Sequence, residues 1–142
     1  PWSTETPTTM IHYQTEPALS VEEFISLLER TSLGERRPLA DVARMERMLR
    51  EADIILTARE DGRLVGLSRA LTDHAYCTYL SDLAVDEGWQ RRGIGRELLR
   101  RTHEEAGLHT SLILIAAPAA RDYYPHIGMA AHDSCWMIRG AS

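Results

Sequence analysis

Six consecutive residues, Gln90-Arg91-Arg92-Gly93-Ile94-Gly95, constrain the fold of this chain more than any other stretch of it. Before them lies a run that reads as a strand, Ala75–Val85, rich in Tyr, Leu and Val. After them, about Gly95–Ala106, comes a helical pattern with Leu98, Leu99 and Thr102 facing inward. A glycine-rich turn from strand into helix is a cradle for an anion. Glycines let the backbone bend tightly and approach a ligand closely. The helix then opens with unpaired N–H groups at the positive end of its dipole, which favours phosphate. Arg91, Arg92 and Arg96 add positive charge around it. Two common phosphate devices are excluded. A Walker loop requires Lys, and all 16 basic residues here are Arg. A dinucleotide fingerprint requires a third glycine three residues on, but the next glycine after Gly95 is Gly107. Asn is absent along with Lys, so codon bias explains the lysine deficit.

The flanking pattern places this turn in a single domain. Residues 1–9 are rich in Pro, Thr, Ser and Glu and read as a disordered tail or an added leader, with Met10 as a natural start. From there, 10–142 reads as one domain. Ile11–Thr15 forms a first strand. Ser20 opens a capping box with Glu23, followed by a helical stripe of Val21, Phe24, Ile25 and Leu28. The next loop carries Glu35, Arg36 and Arg37, and a loop this polar is either solvated or substrate-facing. A second helix fits Leu39–Glu51. Asp53–Glu60 and Arg63–Leu71 are strands joined by the hairpin signal Asp61-Gly62. Ser111–Ala116 is a continuous apolar run of the kind found in a strand buried on both faces. Pro118–Tyr124 is a short helix stopped by Pro125 and Gly128, and Ser134–Arg139 a last strand. Hairpin-linked strands followed by a β-α-β crossover predict an α/β (α+β) fold, with a mixed sheet and helices on both faces.

Charge and composition exclude several functions. Twenty-one acidic against 16 basic residues give a net charge of -5, without the basic footprint of a nucleic-acid binder. The longest strongly apolar stretch, Leu112–Ala117, is far short of the ~20 residues of a membrane span. No charged segment followed by an apolar one opens the chain, so a cytoplasmic location is expected. Cys77 and Cys135 have neither CxxC nor zinc-type spacing; they read as buried free thiols, and no metal site is expected.

The hexapeptide fits Gln/Arg-x-x-Gly-x-Gly/Ala and resembles the pyrophosphate loop of the GNAT superfamily of acyl-CoA N-acyltransferases. Leu80-Ser81-Asp82-Leu83-Ala84-Val85-Asp86 upstream is similar to the fourth strand of that family. Tyr123-Tyr124-Pro125-His126-Ile127-Gly128-Met129 resembles its Phe/Tyr-Tyr-x-x-Leu/Ile-Gly-Phe signature. The resemblance covers about Met10 to Arg139. It implies a mostly antiparallel sheet whose fourth and fifth strands splay apart to admit the pantetheine arm of acetyl-CoA. The backbone of Leu83, Ala84 and Val85 would pair with that arm, and the amides of Arg91, Arg92, Gly93, Ile94, Gly95 and Arg96 would hold the pyrophosphate. Tyr124 stands where the family's catalytic tyrosine stands, as general acid toward the leaving thiolate. Pro125 departs from the pattern by replacing a polar residue, which bears on where that hydroxyl points. Asp82 is the acidic candidate for general base, since alternation sends either Ser81 or Asp82 toward the cleft; His74 and Tyr79 are weaker choices. The implied activity is acetyl transfer to a primary amine of a small molecule. A protein N-terminal or Lys acetyltransferase and a non-catalytic acyl-CoA sensor are the alternatives. Dimers are common in this family, and Trp136 or Met137 on the last strand would contribute to such a contact.

Overall fold

The computed structural model describes residues 10–141, and the expectations for residues 1–9 lie outside them. Strands β1 (His12–Thr15), β2 (Ile54–Glu60), β3 (Arg63–Thr72), β4 (Cys77–Val85) and β5 (Ser111–Leu114) form one sheet in the order β1-β2-β3-β4-β5. The first three pairings are antiparallel, and β5 runs parallel to β4. That reversal requires a crossover, which helix α3 (Ile94–Ala106) supplies. Helices α1 (Val21–Glu29) and α2 (Val42–Arg50) cover the opposite face, and a short helix α4 (Tyr123–His126) follows β5. No helix among the described residues is long and apolar enough to cross a membrane.

Two apolar layers sandwich the sheet, as the pattern predicts. Phe24, Leu27 and Leu28 of α1 and Met45 and Leu49 of α2 pack on Leu67. Ile94 and Leu98 of α3 pack with Val65, Ala70 and Leu80 on the other side. The helix starts follow local chemistry. Ser20 Oγ accepts from the Glu23 amide at 3.2 Å. The return half of the expected capping box is diverted, because the Glu23 carboxylate pairs with Arg59 at 2.8 Å. Asp41 caps α2 by accepting from the Arg44 amide at 3.1 Å, which delays the helix to Val42 rather than Leu39.

Arg59 is the tie between strand and helix. It donates to both oxygens of Glu16, at 2.7 and 3.0 Å, and both of Glu23, at 2.8 and 3.0 Å. The Arg59 hydrogen bonds, helped by Gln14 and Thr57 and opposed by burial, lower Glu16 from its usual 4.5 to about 2. A depressed carboxylate contributes stability above its unfolded pKa and loses it as pH falls toward the folded one. Urea midpoints measured from pH 5 down to pH 2 are therefore expected to fall steadily. About 2 kcal/mol of that loss should be missing in Glu16→Gln, which starts lower and varies less with pH.

Three expectations are corrected. Ser134–Arg139 forms no strand; residues 129–141 have neither helix nor strand, and Trp136 and Ile138 are exposed. Among the described residues β5 is an edge strand, and helices cover only one of its faces: Leu112 and Leu114 pack in the α3 layer, while α1 reaches no further than β4. β5 is half-buried rather than buried on both faces, with Ile113 53% exposed. Cys77 and Cys135 are exposed, not buried. Cys77 opens β4 beside the turn in which Asp73 accepts amides from Ala75, Tyr76 and Cys77.

Candidate active site

Strand β4 carries the site because its two edges are used differently along its length. Register pairs Cys77–Leu80 with Ser111–Leu114, and among the described residues no strand pairs with β4 beyond Leu80 on that side. The amide of Asp86 donates to Val65 on β3 at 2.9 Å. Alternation then turns the backbone groups of Ala84 toward β3 and those of Leu83 and Val85 toward the gap. This is the splay the resemblance implied. The gap opens into a cleft of about 1390 Å³ that runs from the glycine-rich loop to the segment between α1 and α2.

At one end lies the phosphate cradle. Arg91 and Gly93 both adopt positive φ, 65° and 81°, and Gly93 caps α3. No backbone carbonyl among the described residues accepts from the amides of Arg91 through Arg96. A Cβ on Gly95 would lie 3.2 Å from the Tyr123 hydroxyl, so a side chain there would crowd the space between loop and α4. The Arg92 guanidinium stacks on Trp89, 4.6 Å from the ring centroid, while Arg91 and Arg96 line the cleft. Free amides at a helix start with flanking guanidinium groups fit a pyrophosphate.

Tyr123 and Tyr124 enter the cleft from α4, packed edge to face with centroids 5.3 Å apart. Pro125 sits inside the first turn of α4, where its missing N–H costs nothing. Burial raises the Tyr124 phenol above 10, and the neighbouring Tyr123 adds to it. Burial raises Tyr123 as well, but the Arg96 charge pulls it back. Tyr124 therefore stays protonated, as a proton donor must.

Asp82 does not reach the cleft. It is fully buried, and its carboxylate is shared between Arg37, 2.6 Å away, and Arg69. A β-bulge explains why alternation misled. Arg69 pairs with Asp82 but Ala70 pairs with Leu80, so Ser81 is an extra residue. The Ser81 hydroxyl accepts from Arg69 at 2.9 Å and its carbonyl from Arg37 at 2.8 Å. Ser81 borders the cleft; Asp82 lies behind it, holding two arginines. Tyr79 and His126 line the cleft, whereas His74 lies outside, its ring against the Ala106 carbonyl at 3.2 Å. Sequence reading passed over Arg37 and Arg69 as site residues. The only signal was the polar Glu35-Arg36-Arg37 loop, and nothing in it named Asp82 as its partner.

This fold and cleft are those of an acyl-transferring domain. Residues 29–137 match the family described as "Acetyltransferase (GNAT) domain", and the chain belongs to that family. Solved structures share the architecture. A putative acetyltransferase from Deinococcus radiodurans R1 is 24% identical, with a TM-score of 0.73 over 97% of this chain and 94% of that one. Aminoglycoside N-acetyltransferase AAC(6')-Iy, solved in complex with CoA, is 17% identical, with a TM-score of 0.71 over 97% and 100%. Histone acetyltransferase TAP1 of Glycine max is 40% identical over 42 residues, 30% of this chain. That match spans 18% of the length of TAP1.

Proposed function

We propose that this domain transfers an acetyl group from acetyl-CoA to the primary amine of a small molecule by direct attack, with Tyr124 as general acid. The observation that carries the reading is the break in the sheet. Pairing with β5 ends at Leu80, two backbone positions at Leu83 and Val85 turn to the gap, and the gap leads to a loop of free amides. An extended amide-bearing chain ending in a pyrophosphate fits that sequence of groups. Leu83 and Val85 would pair with its amides, Arg91 to Arg96 would hold its phosphates, and the thioester would lie near Ser81.

The residues then divide the chemistry. A neutral amine forms the C–N bond at the thioester carbonyl. The C–S bond breaks with its electron pair on sulfur, and sulfur takes the proton of the Tyr124 hydroxyl. The product nitrogen loses a proton, which returns through water to the tyrosinate. Asp82 acts by placing Arg37 and Arg69 rather than as the base. A sensor without activity would have no use for a half-buried, protonated tyrosine at this point. The small-molecule reading leans on the aminoglycoside enzyme, whose fold this chain shares over nearly its full length.

Calorimetry tests the foundation. Wild type is expected to bind acetyl-CoA and CoA with similar affinity. Gly95→Val is expected to weaken both at least tenfold while circular dichroism stays unchanged. A wild-type protein that binds neither would overturn the reading.

A further inference from the structure

The acceptor end of the cleft is walled by arginine. Along β4, Ser81 lies four residues from Val85, about 13 Å at strand rise. Arg37 therefore stands at the opposite end of the track from the phosphate cradle. Its Nε donates to Asp82 at 2.6 Å, Nη1 to the Arg36 carbonyl at 2.8 Å and Nη2 to the Ser81 carbonyl at 2.8 Å. A guanidinium has five N–H donors, so one remains on each Nη. The side chain is 19% exposed and borders the cleft. Arg36 beside it is exposed, borders the same space, and makes no ion pair among the described residues. Among the described lining residues the one carboxylate is Asp122, next to α4. The acidity of the chain as a whole, net -5, is thus not the charge its cleft presents.

We infer that the acceptor carries a carboxylate on the same small skeleton as its amine, as an amino acid does, and that Arg36 and Arg37 bind that carboxylate. This rests on the acetyl-transfer reading above. A fixed guanidinium with one free N–H on each terminal nitrogen matches the two oxygens of a carboxylate, and the exposed Arg36 adds a second charge. Arg37 is already immobilised by Asp82 and Ser81, so little ordering remains to be done on binding. The same wall disfavours an ammonium beside it. It therefore promotes the neutral amine that attacks, while the Asp82 carboxylate behind the cleft is committed to Arg37 and Arg69. Polycationic amines meet like charge here.

Two measurements test this on the CoA-bound protein. In calorimetry, N-acetyl amino acids are set against their C-terminal amides with the same side chain, across small, apolar and acidic side chains. In thiol-release kinetics, free amino acids are set against amino-acid amides, aminoalkyl phosphonates and polyamines. The acid of the best pair is expected to bind at least tenfold tighter than its amide and to show at least tenfold higher kcat/KM. Arg36→Ala, which disturbs no ion pair among the described residues, is expected to reduce that preference several-fold with CoA affinity unchanged. Arg37→Lys keeps the charge without the fork and should raise KM more than it lowers kcat. A panel in which no acid outbinds its amide overturns the inference, as does a preference for phosphonates or polyamines. In those cases acetyl-CoA binding survives, which separates this failure from failure of the acetyl-transfer reading.

Discussion

Tyr124→Phe is expected to lower kcat about 100-fold while leaving the affinity for acetyl-CoA within about twofold of wild type. The hydroxyl is the one group removed, and the ring keeps its edge-to-face contact with Tyr123. Burial raises the Tyr124 phenol above 10, with Tyr123 adding to the shift. Wild-type activity should therefore persist through the alkaline range in which amines become neutral, and the variant should be depressed throughout it. Tyr123→Phe is the control. Tyr123 leans toward the phosphate loop, where its hydroxyl would crowd any Cβ on Gly95, so its loss should affect acetyl-CoA affinity more than turnover. If Tyr123→Phe abolishes turnover and Tyr124→Phe does not, the general-acid role moves to Tyr123.

Asp82→Asn should act on stability before it acts on chemistry. It leaves the buried Arg69 and the half-buried Arg37 without their shared counter-charge. Breaking one partner out of a buried ion network costs about 3–5 kcal/mol. For a domain of this size that is a fall in Tm on the order of 10–15 °C. A general base would behave differently, losing kcat with the melting transition unmoved. Replacing the group as a whole separates the two cases further. Asp82→Leu combined with Arg69→Met is expected to regain much of the lost stability, because apolar residues of similar volume often substitute for a buried charge cluster. Restored stability would show that the loss in Asp82→Asn comes from the uncompensated arginines, as expected of a residue that holds Arg37 and Arg69 in place.

Most of the fold and half of the candidate site were legible in the sequence, for a common reason. The helical stripe of α1, the Asp61-Gly62 hairpin and the glycine-rich loop are local features whose periodicity or residue type determines them within a few positions. The gap beside Leu83 and Val85 followed from the resemblance alone, since no local pattern says where a strand loses its neighbour. The failures are non-local. Ser81 is an extra residue only relative to β3, so alternation along β4 gave no warning that Asp82 faces two arginines. The apolar run at Ser111 resembles a fully buried strand because its own residues do not say how far the helical layers reach: α3 covers Leu112 and Leu114, and Ile113 on the other face is left exposed. The segment with Trp136 and Met137 has strand composition but no strand pairing.

The unpaired Ser81 also determines which changes to β4 the fold can absorb. Substitution at most positions alters one side chain. Removing Ser81 itself would restore regular pairing and leave Thr78 and Leu80 on the faces they occupy now, because Ala70 already pairs with Leu80 and Arg69 with Asp82. What would go is the hydroxyl that accepts from Arg69 and the carbonyl that accepts from Arg37. The strand thus carries one residue of slack, and that residue serves the arginines rather than the register. Losing it should loosen the guanidinium wall before it loosens the sheet.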